Sequence, residues 1–414
     1  MLFKTPSLEA VDHKVVDKIS TVRESLRHTL GTPRRWTGLL RRSTLGRAMR
    51  GSNSIEGYRI DKQDVVSAAQ GEPVKADDET AKAIEGYRRA MTYVLNLARD
   101  PHFTWSVPTI KGLHFMMLEH DPDKSPGMWR LGPIYVHDEE KKEVVYEGPD
   151  FSLVPSLMEE LVATLAAPDE KVPYLVRASM AHLNLTMIHP FRDGNGRMAR
   201  CLQSLVLGRG FALEPPFSSI EEFLGRHQYP YYDSLAAVGR GSWHPENDAL
   251  HFVRFCLRAH FYQAHTLLQR SRESEQMWTA LLEEATKRDL HERTVFALWD
   301  AAHGYKVVNA TYRDAADLNQ PVASRELTAM VDAGLLVAEG EKRARSYTAA
   351  PVLVELRKKI RGGRAVIPDP YREVPRPVLS TATAPAGTFT VPLNPPSSTG
   401  SKLPSVQSPH DTQG

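Results

Sequence analysis

Cysteine is almost missing from this chain: 414 residues carry only Cys201 and Cys256. No CxxC pair occurs, which excludes a zinc ribbon or a thioredoxin-type redox site, and two distant thiols make no disulfide framework. A reducing, cytoplasmic setting is therefore expected. Long apolar runs are missing too. Nothing approaches the ~18 consecutive apolar residues of a membrane-spanning helix, and the first residues lack the apolar stretch of a signal peptide. A dominant charge sign is also lacking, because 52 Lys and Arg face 50 Asp and Glu, for a formal net charge of +2. No global field then draws the chain to nucleic acid or membrane, so any such partner needs a local patch. What remains is 41% apolar and 25% charged, an ordinary globular balance that excludes disorder throughout. At roughly 100–200 residues per domain, the length accommodates two to four domains.

Strand signals are equally scarce. Apolar residues recur at helical spacing over 9–30, 78–98, 152–167, 173–188, 195–208 and 247–270. The best strand signal is residues 133–149, where two β-prone runs flank a charged turn and predict one hairpin. Residues 278–350 read differently. Helices are expected near 278–287, 292–303, 310–317 and 321–333, followed by a small hairpin over 334–349, which together suggest a winged helix-turn-helix. Residues 365–414 hold 10 of the 29 prolines with many Ser and Thr, too little apolar surface to offset ordering, and predict a disordered tail. The fold class expected is mainly α.

Chemistry concentrates at residues 189–200, His-Pro-Phe-Arg-Asp-Gly-Asn-Gly-Arg-Met-Ala-Arg. An apolar helix ends near Ile188, Pro190 and two glycines force a loop, and a new helix begins at about Asn195. Gly194 and Gly196 allow positive φ and close approach of a ligand to the backbone. Free N–H groups at the helix start make an anion site. Arg197 and Arg200 stand in the first turns, where a purely structural helix favours acids, so a bound polyanion such as a nucleoside triphosphate is indicated. Asp193 in the same loop is a carboxylate suited to Mg²⁺ beside phosphates. His189 is placed to take a proton from an attacking hydroxyl. Each piece alone has a structural alternative: a helix-capping imidazole, an ordinary turn, a solvated arginine face.

Together these residues resemble the signature of the Fic family, matching it at His189, Phe191, Asp193, Gly194, Asn195, Gly196, Arg197 and Arg200. Residues 128–136 and the hairpin after them are similar to the region preceding the motif in that family, and the resemblance to the core spans roughly 105–240. It implies a helical Fic fold with a β-hairpin flap, and transfer of AMP from ATP to a Ser, Thr or Tyr hydroxyl of a protein, with release of pyrophosphate. It implies His189 as base and Asp193 as the Mg²⁺ ligand. The loop backbone and Asn195 would lie on the α-phosphate, Arg197 on the outer phosphates and Arg200 on the γ-phosphate. Phe191 would anchor the loop, and a target segment would dock at the flap near 133–147. A branch of the family that transfers a phosphate has Lys where Gly196 stands, which points this chain away from it.

A second resemblance lies at Ser52, Glu56 and Gly57, which match the family's inhibitory (Ser/Thr)-x-x-x-Glu-(Gly/Asn). Alone, this pattern is equally an exposed Glu on a helix. Beside a full Fic motif it implies that Glu56 pairs with Arg200 and occupies the place of the γ-phosphate, so that the enzyme is autoinhibited. The expected organisation is a helical region over 1–104 with the inhibitory helix near 52–66, the catalytic core over 105–240, a connecting helix over 241–275, the winged helix over 276–362 and a tail over 363–414. Arg34, Arg35, Arg41, Arg42, Arg47 and Arg50 read as an exposed linker or a patch for nucleic acid or an acidic partner. Residues 321–364 hold nine Lys or Arg against five acids, and Arg325, Lys342, Arg343 and Arg345 could meet DNA. The second functional reading is thus a DNA- or protein-binding regulator whose Fic site senses a nucleotide. Within the enzyme class, transfer of another group or removal of AMP stays open, as does a homodimer, which is common in the family.

Overall fold

The computed structural model describes residues 1–372, apart from 33, 139–142 and 211–212. The chain begins with α1 (Ala10–Gly31), whose Val15, Ile19 and Leu26 form a buried stripe. Next comes α2 (Thr37–Ile55). After the short α3 (Val65–Gln70), α4 (Asp78–Arg99) starts at an N-cap where Asp77 accepts from the Thr80 N–H at 2.8 Å. Helix α5 (Val107–Leu118) leads to the hairpin. There β1 (Tyr135–Asp138) pairs antiparallel with β2 (Glu143–Glu147), Tyr135 opposite Glu147, with a register irregularity between Val136 and His137. The turn of this hairpin lies outside the described residues.

Helices α6 (Val154–Ala166), α7 (Tyr174–Ile188) and α8 (Asn195–Gly210) build the centre, α7 and α8 being buried on nearly every side. Three short helices, α9 (Pro215–Ser218), α10 (Glu221–Arg226) and α11 (Gln228–Gly239), lead into α12 (Leu250–Lys287). Then follow α13 (Val295–Ala302), α14 (Asn309–Ala316) and α15 (Gln320–Asp332). An antiparallel hairpin comes next, β3 (Leu336–Glu339) with β4 (Ser346–Ala349). Helix α15 buries Ala323, Leu327 and Met330 and exposes Arg325, and Lys342 and Arg345 are exposed beyond β3. The described chain ends with α16 (Pro351–Arg361) and the segment after it. Among the described residues no helix is long and apolar enough to cross a membrane. Both cysteines are free and buried.

Three expectations are corrected. The arginine-rich stretch is no linker: it is most of α2, with Leu39, Leu40 and Met49 buried. Its arginines are engaged by neighbours, Arg41 by Glu214 (2.9 Å), Arg42 by Asp300 (2.5 Å) and Arg50 by the Ile60 carbonyl (2.9 Å). The inhibitory motif therefore ends α2 instead of opening a helix over 52–66; Gly57, at φ 87°, turns the chain away. Second, the helices expected at 247–270 and near 278–287 are one 38-residue helix, α12, because no Gly or Pro interrupts it. Third, the chain does not leave the fold at 363. Arg364 pairs with Glu273 (2.7 Å), Asp369 with Arg258 (3.2 Å), and the Tyr371 hydroxyl donates to buried Asp12 (3.0 Å). The rest of the expected tail, from 373 onward, lies outside the described residues.

Candidate active site

The site forms where α7 stops. His189 takes the left-handed conformation, φ 50° and ψ 57°, and its N–H still donates to the Leu185 carbonyl at 3.0 Å. A non-glycine residue in this region costs about 1–2 kcal/mol, so something must hold it. Arg130 does: its guanidinium donates to the His189 carbonyl (2.8 Å), to Gly132 (2.7 Å) and to Pro149 (2.5 Å). One buried cation thus ties the end of α7 to both ends of the flap. Sequence reasoning marked the stretch around Arg130 but gave the residue no role.

The imidazole of His189 is oriented from below, Nδ1 donating to the Thr186 carbonyl at 3.0 Å. Its Nε2 is buried and has no partner among the described residues. Burial first, and Arg130 as a nearby cation, pull its pKa down to about 4 against the opposing pull of Thr186, Glu56 and Asp193. At neutral pH it is a neutral imidazole with a free Nε2 lone pair, the form a general base needs.

The loop itself is clamped from two sides. Asn195 uses both ends of its amide on Phe191, accepting from its N–H (2.9 Å) and donating to its carbonyl (2.8 Å). Any phosphate contact from Asn195 therefore comes from its backbone N–H, and the side chain closes the loop. Phe191 is fully buried and stacks on His114, ring centroids 3.7 Å apart and nearly parallel. His114 Nε2 donates to the Asp193 carbonyl (3.0 Å) while Nδ1 accepts from the Gly127 N–H (2.8 Å), which sets its tautomer. No local sequence signal marks His114; only the packing of α5 against the loop brings it there.

Charges converge above this frame. Arg197 is 1% exposed, its Nε and Nη1 have no hydrogen-bond partner among the described residues, and its guanidinium lies 5.0 Å from the Tyr58 ring centroid. Asp193 accepts from the Gly194 N–H (2.5 Å) and pairs with Lys124 at 2.7 Å. Burial pushes its pKa up, but Arg197 and Lys124 more than offset this and leave the carboxyl below its usual range. A cationic Nζ thus already sits on the one loop carboxylate. Among the described residues no group of three or more His, Cys, Asp or Glu could cage a metal. This donor set fits Mg²⁺ carried in on phosphates and held by one carboxylate.

Ser52 and Glu56 reach the same place. Arg200, also 1% exposed, donates from Nε to Ser52 Oγ (2.7 Å), and from Nη2 to the Ser52 carbonyl (3.1 Å) and to Glu56 Oε1 (2.5 Å). Burial alone would lower the arginine's pKa; Glu56 foremost, with Tyr231 and Tyr87, holds it above its ordinary value. Gly196 makes the approach feasible, since a Cβ there would collide with Glu56 Oε1. His189, Asp193, Arg197, Arg200 and Glu56 are thereby brought into one cluster from two separate stretches of chain.

Comparison with known proteins agrees with this geometry. A Fic/DOC family model matches residues 104–207. Protein adenylyltransferase Fic of Nematostella vectensis is 27% identical over 260 residues, which cover 61% of this chain and 55% of that protein. Protein adenylyltransferase Fic of Culex quinquefasciatus is 31% identical over 174 residues, 42% of this chain and 31% of that protein. The chain thus spans about half or less of the length of these curated relatives. Among solved structures, a Fic family protein from Desulfovibrio desulfuricans G20 aligns with a TM-score of 0.55 at 20% identity, covering 84% of this chain and 99% of its own. Fic-1 (aa134–508) from Caenorhabditis elegans aligns with a TM-score of 0.50 at 23% identity, covering 64% and 74%. At these identities the structural likeness establishes the fold.

Proposed function

We propose, since a Fic/DOC family model matches residues 104–207, that this chain is an autoinhibited protein adenylyltransferase, transferring AMP from ATP to a hydroxyl of a target protein. The observation that carries the reading is that the buried Nε2 of neutral His189 and the buried Nε and Nη1 of Arg197 all lack a hydrogen-bond partner among the described residues. One group is ready to accept a proton and the other to neutralise developing negative charge. The relatives named protein adenylyltransferase support the same reaction.

In the proposed reaction His189 Nε2 takes the proton of a Ser, Thr or Tyr hydroxyl. The hydroxyl oxygen bonds to the α-phosphorus, the bond from that phosphorus to the β-bridging oxygen breaks, and pyrophosphate leaves. The Thr186 carbonyl and Arg130 hold the imidazole and its backbone in line. Arg197 and Arg200 receive the outer phosphates, and N–H groups at the start of α8 receive the α-phosphate. Asp193 would hold Mg²⁺, which, when bound, neutralises phosphate charge, and Lys124 would then give up its place on that carboxylate. Val144 and Val145, exposed on β2, offer a flap edge on which a target segment would add as a strand. Glu56 is the brake, because it satisfies the Arg200 nitrogen that a γ-phosphate would need.

The test is incorporation of label from α-³²P-ATP with Mg²⁺. Glu56→Gly is expected to label far above wild type, and Glu56→Gly/His189→Ala to label not at all while still binding ATP. Equal labelling by wild type and Glu56→Gly would remove the brake from the proposal, and labelling without His189 would remove the base.

A further inference from the structure

Behind the inhibitory motif, on the face of α2 turned away from the Fic loop, lies a cavity of about 290 Å³ walled by cations. Arg47 and Arg50 enter from α2, Arg226 from α10 and Arg270 from α12. The opposite wall carries Arg357, Arg361 and Arg364, from α16 and the turn after it, and Lys62 stands at one side. Glu222 is the one acid lining it, and Glu222 is already engaged: it receives both terminal nitrogens of Arg270 (2.6 and 2.7 Å) and Arg226 as well. Behind the far wall, Glu273 is taken up by Arg364 (2.7 Å) and Arg361 (3.7 Å).

Arg47, Arg50, Arg357 and Lys62 are left with no carboxylate partner among the described residues. Nη1 of Arg47 is buried without a hydrogen-bond partner among the described residues, and another of its nitrogens donates to the Tyr305 hydroxyl. The wall is shaped for the guanidinium groups: Gly304, at φ 82°, stands where a Cβ would collide with Arg357. Burial first, and neighbouring arginines next, lower the pKa of Arg47, Arg226 and Arg361, the last to about 10. Like charges gathered from four helices repel one another unless an anion joins them.

We propose that this cavity is a binding site for an oligophosphate, a chain of two or three linked phosphoryl groups. Guanidinium forks match phosphate oxygens in pairs, and four cations without a carboxylate partner call for more charge than one phosphate carries. The cavity is below the ~300–1,000 Å³ usual for whole organic ligands, which favours the phosphate chain over an entire nucleotide. An occupied site would tie α2, and with it Glu56, to the helix that follows the winged hairpin. The inference stands on these residues alone and does not depend on AMP transfer.

The test is calorimetric titration of the full chain with inorganic tripolyphosphate at fixed ionic strength, comparing wild type with Arg357→Gln/Arg361→Gln. Wild type is expected to bind tripolyphosphate in clear preference to monophosphate, and the variant about ten-fold or more weakly, the loss of one or two charge-assisted contacts. Without anion the variant should melt at or above the wild-type temperature, since repulsion is removed. A parallel titration with GTP distinguishes sources: tighter binding than tripolyphosphate, lost in the variant, means that the chain is recognised as part of a nucleotide, and weaker binding means the free form. Absence of a preference in wild type, affinity retained in the variant, or a variant that melts well below wild type would each overturn the proposal.

Discussion

Arg200 has two partners on α2, and they do different work. Glu56 neutralises its charge, while Ser52 Oγ accepts from Nε at 2.7 Å and fixes the plane of the guanidinium. Removing Ser52 Oγ leaves a buried donor unpaired, at about 1–3 kcal/mol. Ser52→Ala is therefore expected to label above wild type but below Glu56→Gly in the α-³²P-ATP assay; labelling at the wild-type level would mean that Glu56 needs no such support. The histidine makes its own statement about pH. With a folded pKa near 4, His189 is in its base form throughout the neutral range. Labelling by Glu56→Gly should thus not fall between about pH 8 and pH 6, and a loss centred near the ordinary imidazole value of ~6.5 would count against this environment. The motif's residue types were legible in sequence because their chemistry is local to one loop. The roles of Asn195 and His114 were not, since nothing in their spacing says that one amide will close on Phe191 or that a residue of α5 will stack there.

At the scale of elements, the proposed brake rides on α2. Gly51 and Gly225 let α2 and α10 meet nearly backbone to backbone: a Cβ on Gly225 would lie 2.5 Å from the Gly51 Cα, and one on Gly51 would collide with the Glu221 carbonyl. Overpacking of this kind costs about 1–3 kcal/mol. Gly51→Ala is expected to lower the melting temperature and, by lifting Ser52 and Glu56 away from Arg200, to raise labelling; a destabilised variant that stays silent would show that the brake does not ride on this contact. The sequence pattern concealed α2 because its four arginines among small residues look solvated. They are accommodated by Glu214, Asp300, Tyr305 and a carbonyl contributed by other parts of the chain. By contrast α1, α4, α7 and α8 were readable from their apolar stripes, whose period depends only on the helix itself.

For the whole molecule, acid stability follows from buried imidazoles. His114, His182 and His189 are lowered to about 4, about 3 and about 4, burial being the leading cause in each. Unfolding returns each to ~6.5. Below that value the unfolded chain takes up protons that the folded chain does not, so stability falls as pH drops from about 6.5 towards 4. The loss is roughly 1.4 kcal/mol per pH unit for each histidine. Glu221 and Asp300, whose burial raises their pKa, hold a proton more tightly when folded and work the other way. These three histidines, joined by His260 and His303, which burial lowers further still, outweigh the two carboxyls and predict a melting temperature that declines between about pH 7 and pH 5; a flat or rising profile would contradict it.

By itself, the sequence determined the helical class and marked the loop at 189–200 and the trio Ser52, Glu56 and Gly57, because each is written in a short stretch whose spacing and residue types carry the chemistry. Only the tertiary structure decided that Glu56 reaches Arg200, that Arg130 staples the flap to His189, and that the arginines of α2 face those of α16 across one cavity. Those contacts join residues far apart in the chain. Their energies depend on burial and on which charges are left without partners, and neither quantity exists until the helices pack.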